Sequence, residues 1–156
     1  MERTLILLKP DTLQRGFVGS IIARFEKKGL KIAGLKLMQM NAELAAQHYS
    51  DHVDKPFYEG LVRFMTSRPI VAIALEGIDA IVICRNMMGA TFGSKAAPGT
   101  IRGDHGVSNS FNLIHGSDSP QAAEKELALF FPEGCLDYDF DALRWIYDPE
   151  EEWPGS

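Results

Sequence analysis

Positions 4–8 of the chain read Thr-Leu-Ile-Leu-Leu, apolar at every place after the first, which is the pattern of a short strand buried on both faces. Lys9-Pro10-Asp11 ends it, because proline has no amide with which to continue a ladder. Val18, Ile21, Ile22 and Phe25 then recur at i, i+3, i+4 and i+7, one apolar face of a helix, with Gly29 where a C-terminal cap belongs. Residues 31–40 read as extended. Asn41 can cap a helix reaching about Tyr49, and a second helical piece over 58–66 is broken by Ser67-Arg68-Pro69. Residues 70–75 form another buried strand. The run 78–84 points two ways: its β-branched residues suit a strand, while Ala80, Met87 and Met88 ahead of Gly89 suit a helix. From 89 to 111 there is no apolar period but five glycines and a proline, a long loop of the kind that in compact domains carries function or is disordered. Residues 112–115 form a short strand, and Ser119-Pro120 opens a helix whose inward face is Ala123, Leu127 and Phe130, ended by Pro132. The order is roughly β-α-β-α-β-α-β-α, one domain over 1–156, with the acidic tail 148–156 as a solvated end.

Composition narrows the picture. Apolar residues make up 46% and charged residues 24% of the 156, and the net charge of −5 disfavours non-specific nucleic-acid binding. The two cysteines, Cys84 and Cys135, lack C-x-x-C spacing, so neither a disulfide framework nor a zinc site is expected, and a reducing cytoplasm fits. The apolar run at 5–8 is too short for a signal-peptide core and no run approaches a membrane span, so no membrane partner is expected.

The chemistry gathers near the long loop. His115, one of four histidines, stands at a strand end, where open sheets covered by helices place their ligands. Arg85 and Arg102 flank or occupy the loop, Thr91 lies on it, Lys9 sits at the exit of the first strand, and Asn112 precedes the histidine by three residues. These are groups suited to phosphate oxygens. Imidazole, with an ordinary pKa of about 6.5, is a nucleophile near neutral pH and holds a phosphoryl group without trapping it. Neither G-x-x-x-x-G-K-[ST] nor G-x-G-x-x-G occurs, which excludes P-loop and protein-kinase mechanisms.

Those residues resemble one family over nearly the whole length of the chain. Lys9-Pro10-Asp11, the pair His48-Tyr49, Arg85 with Met88-Gly89-Ala90-Thr91, the stretch 98–104 (Pro-Gly-Thr-Ile-Arg-Gly-Asp) and above all Asn112-Leu113-Ile114-His115-Gly116-Ser117-Asp118 are similar to the motifs of the nucleoside diphosphate kinases. The resemblance implies a ferredoxin-like α+β domain with a four-stranded antiparallel sheet. It implies that His115 is transiently phosphorylated in a ping-pong transfer from a nucleoside triphosphate to a nucleoside diphosphate. Lys9, Tyr49, Phe57, Arg85, Thr91, Arg102 and Asn112 match nucleotide-holding positions, with Phe57 stacked on the base. Ser117 and Glu126 match residues behind the histidine, where a carboxylate fixes the tautomer and takes up charge. Mg²⁺ would arrive on the nucleotide's phosphates rather than in a protein cage. A homo-oligomer is implied as well, six chains favoured over four because the Trp145-Ile146-Tyr147 ending resembles hexameric relatives. Two departures touch the loop: Thr91-Phe92-Gly93 stands where many relatives have Thr-Asn-Pro, and Phe111 where many have arginine. Two other functions would leave different marks. An inactive nucleotide-binding relative would have lost His115 or the arginines, and a single-strand nucleic-acid binder would show a basic stripe with interleaved aromatics. The sequence has neither mark.

Overall fold

In the computed structural model, which describes residues 1–153, four strands form one antiparallel sheet in the order β2-β3-β1-β4. They are β1 (Glu2–Leu8), β2 (Lys31–Met38), β3 (Ile70–Gly77) and β4 (Ile114–Gly116). This is the ferredoxin-like α+β arrangement expected above. The central strands pair with Leu5 opposite Ala74 and Leu7 opposite Ala72, and their side chains alternate between two cores. Ile6, Leu8, Val71, Ile73 and Leu75 face one core; Leu5, Leu7, Ile70, Ala72 and Ala74 face the other. Both faces are covered by helices, which is why these strands read as unbroken apolar runs.

Helices α2 (Val18–Lys28) and α5 (Ala80–Met88) cover the first face through Ile21, Phe25, Cys84 and Met88. On the second lie α3 (Ala42–His48), α4 (Tyr58–Thr66) and α7 (Pro120–Phe130), contributing Ala45, Met65 and Phe130. Caps act where the sequence put them: the Asn41 side chain accepts from the Leu44 amide, that of Ser119 accepts from the Ala122 amide, and Gly29 closes α2 at φ 101°.

Several boundaries differ from expectation. The ambiguous run becomes α5, because Ala80, Ile81, Cys84 and Met88 fall on one buried helical face and that packing outweighs the strand preference of its β-branched residues. Pro10 starts a short helix, α1 (Pro10–Gln14), as proline at a first helical position can. The long loop is ordered by a 3₁₀ turn at Gly93–Lys95 and by α6 (Ile101–His105), whose cap is the Thr100 hydroxyl accepting from the Gly103 amide. A short 3₁₀ turn, Ser50–His52, links α3 towards α4. Strand β4 starts at Ile114 rather than at 112, because Leu113 has φ 72°, in the left-handed region. Of the acidic tail, Asp148 to Trp153 are exposed, and 154–156 lie outside the described residues.

Candidate active site

His115 sits in β4 opposite Leu7, so its side chain shares Leu7's face of the sheet, the one covered by α3, α4 and α7. From α7, Ala123, Glu126 and Phe130 point inward at i, i+3 and i+7. The carboxylate of Glu126 meets Nε2 of His115 in a close hydrogen bond. That carboxylate also lies beside the Ser117 hydroxyl and 3.6 Å from Nδ1 of His48. Burial would raise the Glu126 carboxyl, but the His115 hydrogen bond, the neighbouring imidazoles and Ser117 more than offset it, and the net shift is downward. The carboxylate is therefore charged at neutral pH and accepts, so Nε2 carries the proton and Nδ1 keeps its lone pair.

Ser117 is wholly buried and is held by β1: its hydroxyl accepts from the Leu5 amide at 3.2 Å, and its own amide donates to the Leu5 carbonyl at 3.1 Å. Gly116 lies within β4. A Cβ there would come within 2.6 Å of Met88 Sδ, so the glycine admits α5 against the strand.

On the other side of the histidine, polar groups converge by direct contact. Lys9 Nζ donates to Asn112 Oδ1 at 2.6 Å, and Asn112 Nδ2 donates to the Thr91 carbonyl at 2.9 Å. Arg102 donates to three carbonyls, those of Asn112, Gly89 and Ile114, at 3.1, 3.0 and 2.6 Å. It braces both ends of the long loop and keeps two of its five N–H groups for a ligand. Arg85, exposed at the last turn of α5, donates to the Gly116 carbonyl at 3.2 Å. Burial, reinforced by the positive charge of Arg102, brings Lys9 down to about 8, and burial with Arg85 nearby brings Arg102 to about 10. Both cations are buried, and among the described residues no carboxylate is bonded to either. Such cations are stabilised by an incoming anion.

Leu113 carries the local strain. Its left-handed backbone is pinned on three sides: its amide donates to Asp11 Oδ2, and its carbonyl accepts from the Lys9 amide and from the Thr12 hydroxyl. Asp11 and Thr12 are thus structural anchors of the site that the sequence did not single out as such. Their signal was faint, a polar pair just after a buried strand.

The remaining residues form an aromatic path. The His48 ring meets those of His115 at 4.9 Å and Tyr49 at 4.5 Å, Tyr49 stacks on His52 at 6.4 Å, and His52 meets Phe57 at 5.4 Å. Phe57 ends the path as an exposed ring ahead of α4, while the Tyr49 phenol is buried and raised by that burial. Burial, with the His115 ring as neighbour, pushes His48 down to about 3, which keeps it neutral. The expected site residues all lie around His115 or along this path. Thr91, exposed, takes part through its backbone carbonyl.

A sequence profile described as nucleoside diphosphate kinase matches residues 2–135. The nucleoside diphosphate kinase of Carboxydothermus hydrogenoformans is 56% identical over 149 residues, spanning 95% of this chain and 100% of that protein. The chain belongs to the nucleoside diphosphate kinase family. A second member of that family, from Bacillus cereus, is 52% identical over 148 residues, 94% of this chain and 100% of its own. A solved nucleoside diphosphate kinase of Halobacterium salinarum, in complex with CDP, matches with a TM-score of 0.92 at 51% identity, covering 94% of this chain and 99% of that one. As a nucleoside diphosphate kinase, the protein is an enzyme that moves the terminal phosphoryl group of a nucleoside triphosphate to a nucleoside diphosphate.

Proposed function

We propose that His115 is the carrier of the phosphoryl group and that the reaction runs as a double displacement. Nδ1 attacks the terminal phosphorus, the bond from phosphorus to its bridging oxygen breaks, and the nucleoside diphosphate leaves with that oxygen. A second diphosphate then attacks the phosphohistidine through a terminal oxygen and restores the imidazole. The observation that carries this reading is the bond from Nε2 to Glu126, which leaves the lone pair on Nδ1 and puts a buried negative charge where the ring becomes positive. Catalytic roles therefore go to His115, with Glu126 and Ser117 as its orienting partners.

Nucleotide phosphates fit the donors of Lys9, Arg85, Arg102, Asn112 and Thr91, and the base fits the exposed Phe57 ring. Ammonium, guanidinium, amide and hydroxyl groups suit phosphate oxygens rather than a bare cation, so Mg²⁺ enters bound to the nucleotide, where it neutralises phosphate charge. We infer a homo-oligomer, six chains in preference to four. Edge strand β2 exposes Leu35 and Leu37, 53% and 69% accessible, and Trp145 is 88% accessible, which is apolar surface that a second copy would cover. Both cysteines are free, and among the described residues no helix is long and apolar enough to cross a membrane, in keeping with the cytoplasm. Steady-state rates with both nucleotides varied test the scheme: double-reciprocal lines should be parallel, and lines that intersect would mean a ternary complex.

A further inference from the structure

Behind His115 lies a cluster that phosphoryl transfer does not use in full. His48 is side-chain buried to all but 3%, yet among the described residues neither of its ring nitrogens has a hydrogen-bond partner. Buried imidazole nitrogens left unpaired are costly and uncommon. Its Nδ1 lies 3.6 Å from the Glu126 carboxylate, and one ligand atom each from His48, Glu126 and His115 falls within 4.8 Å of the other two. Two imidazoles and one carboxylate, with the His115 side chain still 27% accessible, match the donor set of a three-ligand zinc site. Zinc ligands stand about 2.0–2.1 Å from the ion, hence roughly 3.3 Å from one another in a tetrahedron. The His48–Glu126 spacing is already close to that value. The His115–Glu126 pair is closer, so the carboxylate would have to swing outward as the ion enters.

We propose that His48, Glu126 and His115 form a binding site for a zinc-type divalent cation, and that its occupancy shuts off phosphoryl transfer. The inhibition follows from the imidazole tautomer. In the free enzyme the proton is on Nε2 and the lone pair on Nδ1. A metal on Nε2 takes that nitrogen's lone pair, and the proton moves to Nδ1; nothing is oxidised or reduced, and His115 stays neutral. The nitrogen that would attack phosphorus is then an N–H and has no lone pair in the ring plane to give. Glu126, now a metal ligand, no longer takes up the charge of the developing imidazolium. Mg²⁺ does not compete here, since it prefers octahedral oxygen ligands. The site is a matter of geometry alone, whereas the inhibition rests on His115 being the phosphoryl carrier.

The test uses the full, assembled enzyme without nucleotide. Titration with Co²⁺, the spectroscopic stand-in for Zn²⁺, should give the strong visible bands of four-coordinate cobalt at one ion per chain, and Zn²⁺ should displace it. Imidazole ¹⁵N spectra of the unaltered protein should show His115 Nε2 shifted by Zn²⁺ and Nδ1 protonated. His48→Gln, checked for folding by its melting curve, should weaken Co²⁺ binding by at least about tenfold, the ordinary consequence of losing one ligand of three. Phosphoenzyme formed on brief mixing with ATP should vanish in step with Zn²⁺ occupancy and return when a chelator removes the ion. Absence of cobalt bands, or nitrogen spectra unmoved by Zn²⁺, overturns the site. Metal binding with labelling undiminished overturns the inhibition and leaves the site standing. An enzyme that never labels His115, with or without Zn²⁺, refutes the carrier role proposed above rather than the metal site.

Discussion

Replacing Glu126 by alanine should slow phosphorylation of His115 by roughly ten- to hundredfold. The carboxylate is buried, stays charged, and accepts a hydrogen bond from the nitrogen that gains positive character as the other nitrogen attacks. A hydrogen bond with one charged partner contributes about 1.5–3 kcal/mol, which is roughly that span in rate if it is fully lost in the transition state. Glutamine should fall between. Its amide oxygen can still accept from Nε2–H and hold the tautomer, but it carries no charge. Ser117→Ala should cost less than Glu126→Ala, because the serine hydroxyl serves Glu126 and the Leu5 amide rather than the reacting ring. Stopped-flow measurement of the phosphorylation step, with melting curves to check that each variant folds, decides the order. A Glu126→Ala rate within twofold of the unaltered enzyme, or a larger loss in Ser117→Ala, would refute the reasoning.

Phe57→Ala should raise KM for purine and pyrimidine nucleotides alike, since stacking contributes about 1–3 kcal/mol per base without reading its edge; a loss confined to one class would contradict a stacking role. Lys9 gives two pH effects of opposite sign. Its pKa in the fold is about 8 against 10.5 for a lysine free in water, so the free enzyme loses the charge as pH rises through 8, and kcat/KM should fall by up to about tenfold per unit above it. Between about 8 and 10.5 the unfolded chain binds the extra proton, so this residue's contribution to stability should rise with pH over the same window, which chemical denaturation at stepped pH would read. Light scattering at micromolar concentration should give a mass four or six times the 17.3 kDa chain, and a value near 17.3 kDa would contradict assembly.

Much of this could be read from the sequence because the informative signals were local. Asn41, Gly29 and Ser119 terminate helices by their own chemistry, and the apolar runs of β1 and β3 announce strands covered on both sides. The resemblance, not the pattern, supplied the antiparallel order, since alternation of strands and helices does not say which strands are neighbours. What pattern missed was set by tertiary contact. Helix α6 has five residues and a single buried apolar side chain, Ile101, too few for a period, and β-branched α5 is helical because of the core beneath it. Leu113 adopts a left-handed backbone that no leucine would suggest, held by Asp11, Thr12 and Lys9 from another element. Glu126 came from the resemblance; in the fold it sits three residues after Ala123 and four before Phe130, on the inward face of its helix, where an unpaired charge has no place. His48 likewise follows Ala45 by three residues on the buried side of α3.

The most direct test of His115 as carrier is the intact mass of the enzyme, quenched in base shortly after mixing with ATP and Mg²⁺. One acid-labile, base-stable phosphate per chain should appear, map to the peptide holding His115, and leave when any nucleoside diphosphate is added. His115→Ala should take up none, while variants at His105, outside the site, should label as the unaltered protein does. Labelling that persists in His115→Ala, or a phosphate that a diphosphate nucleotide cannot remove, would contradict the account.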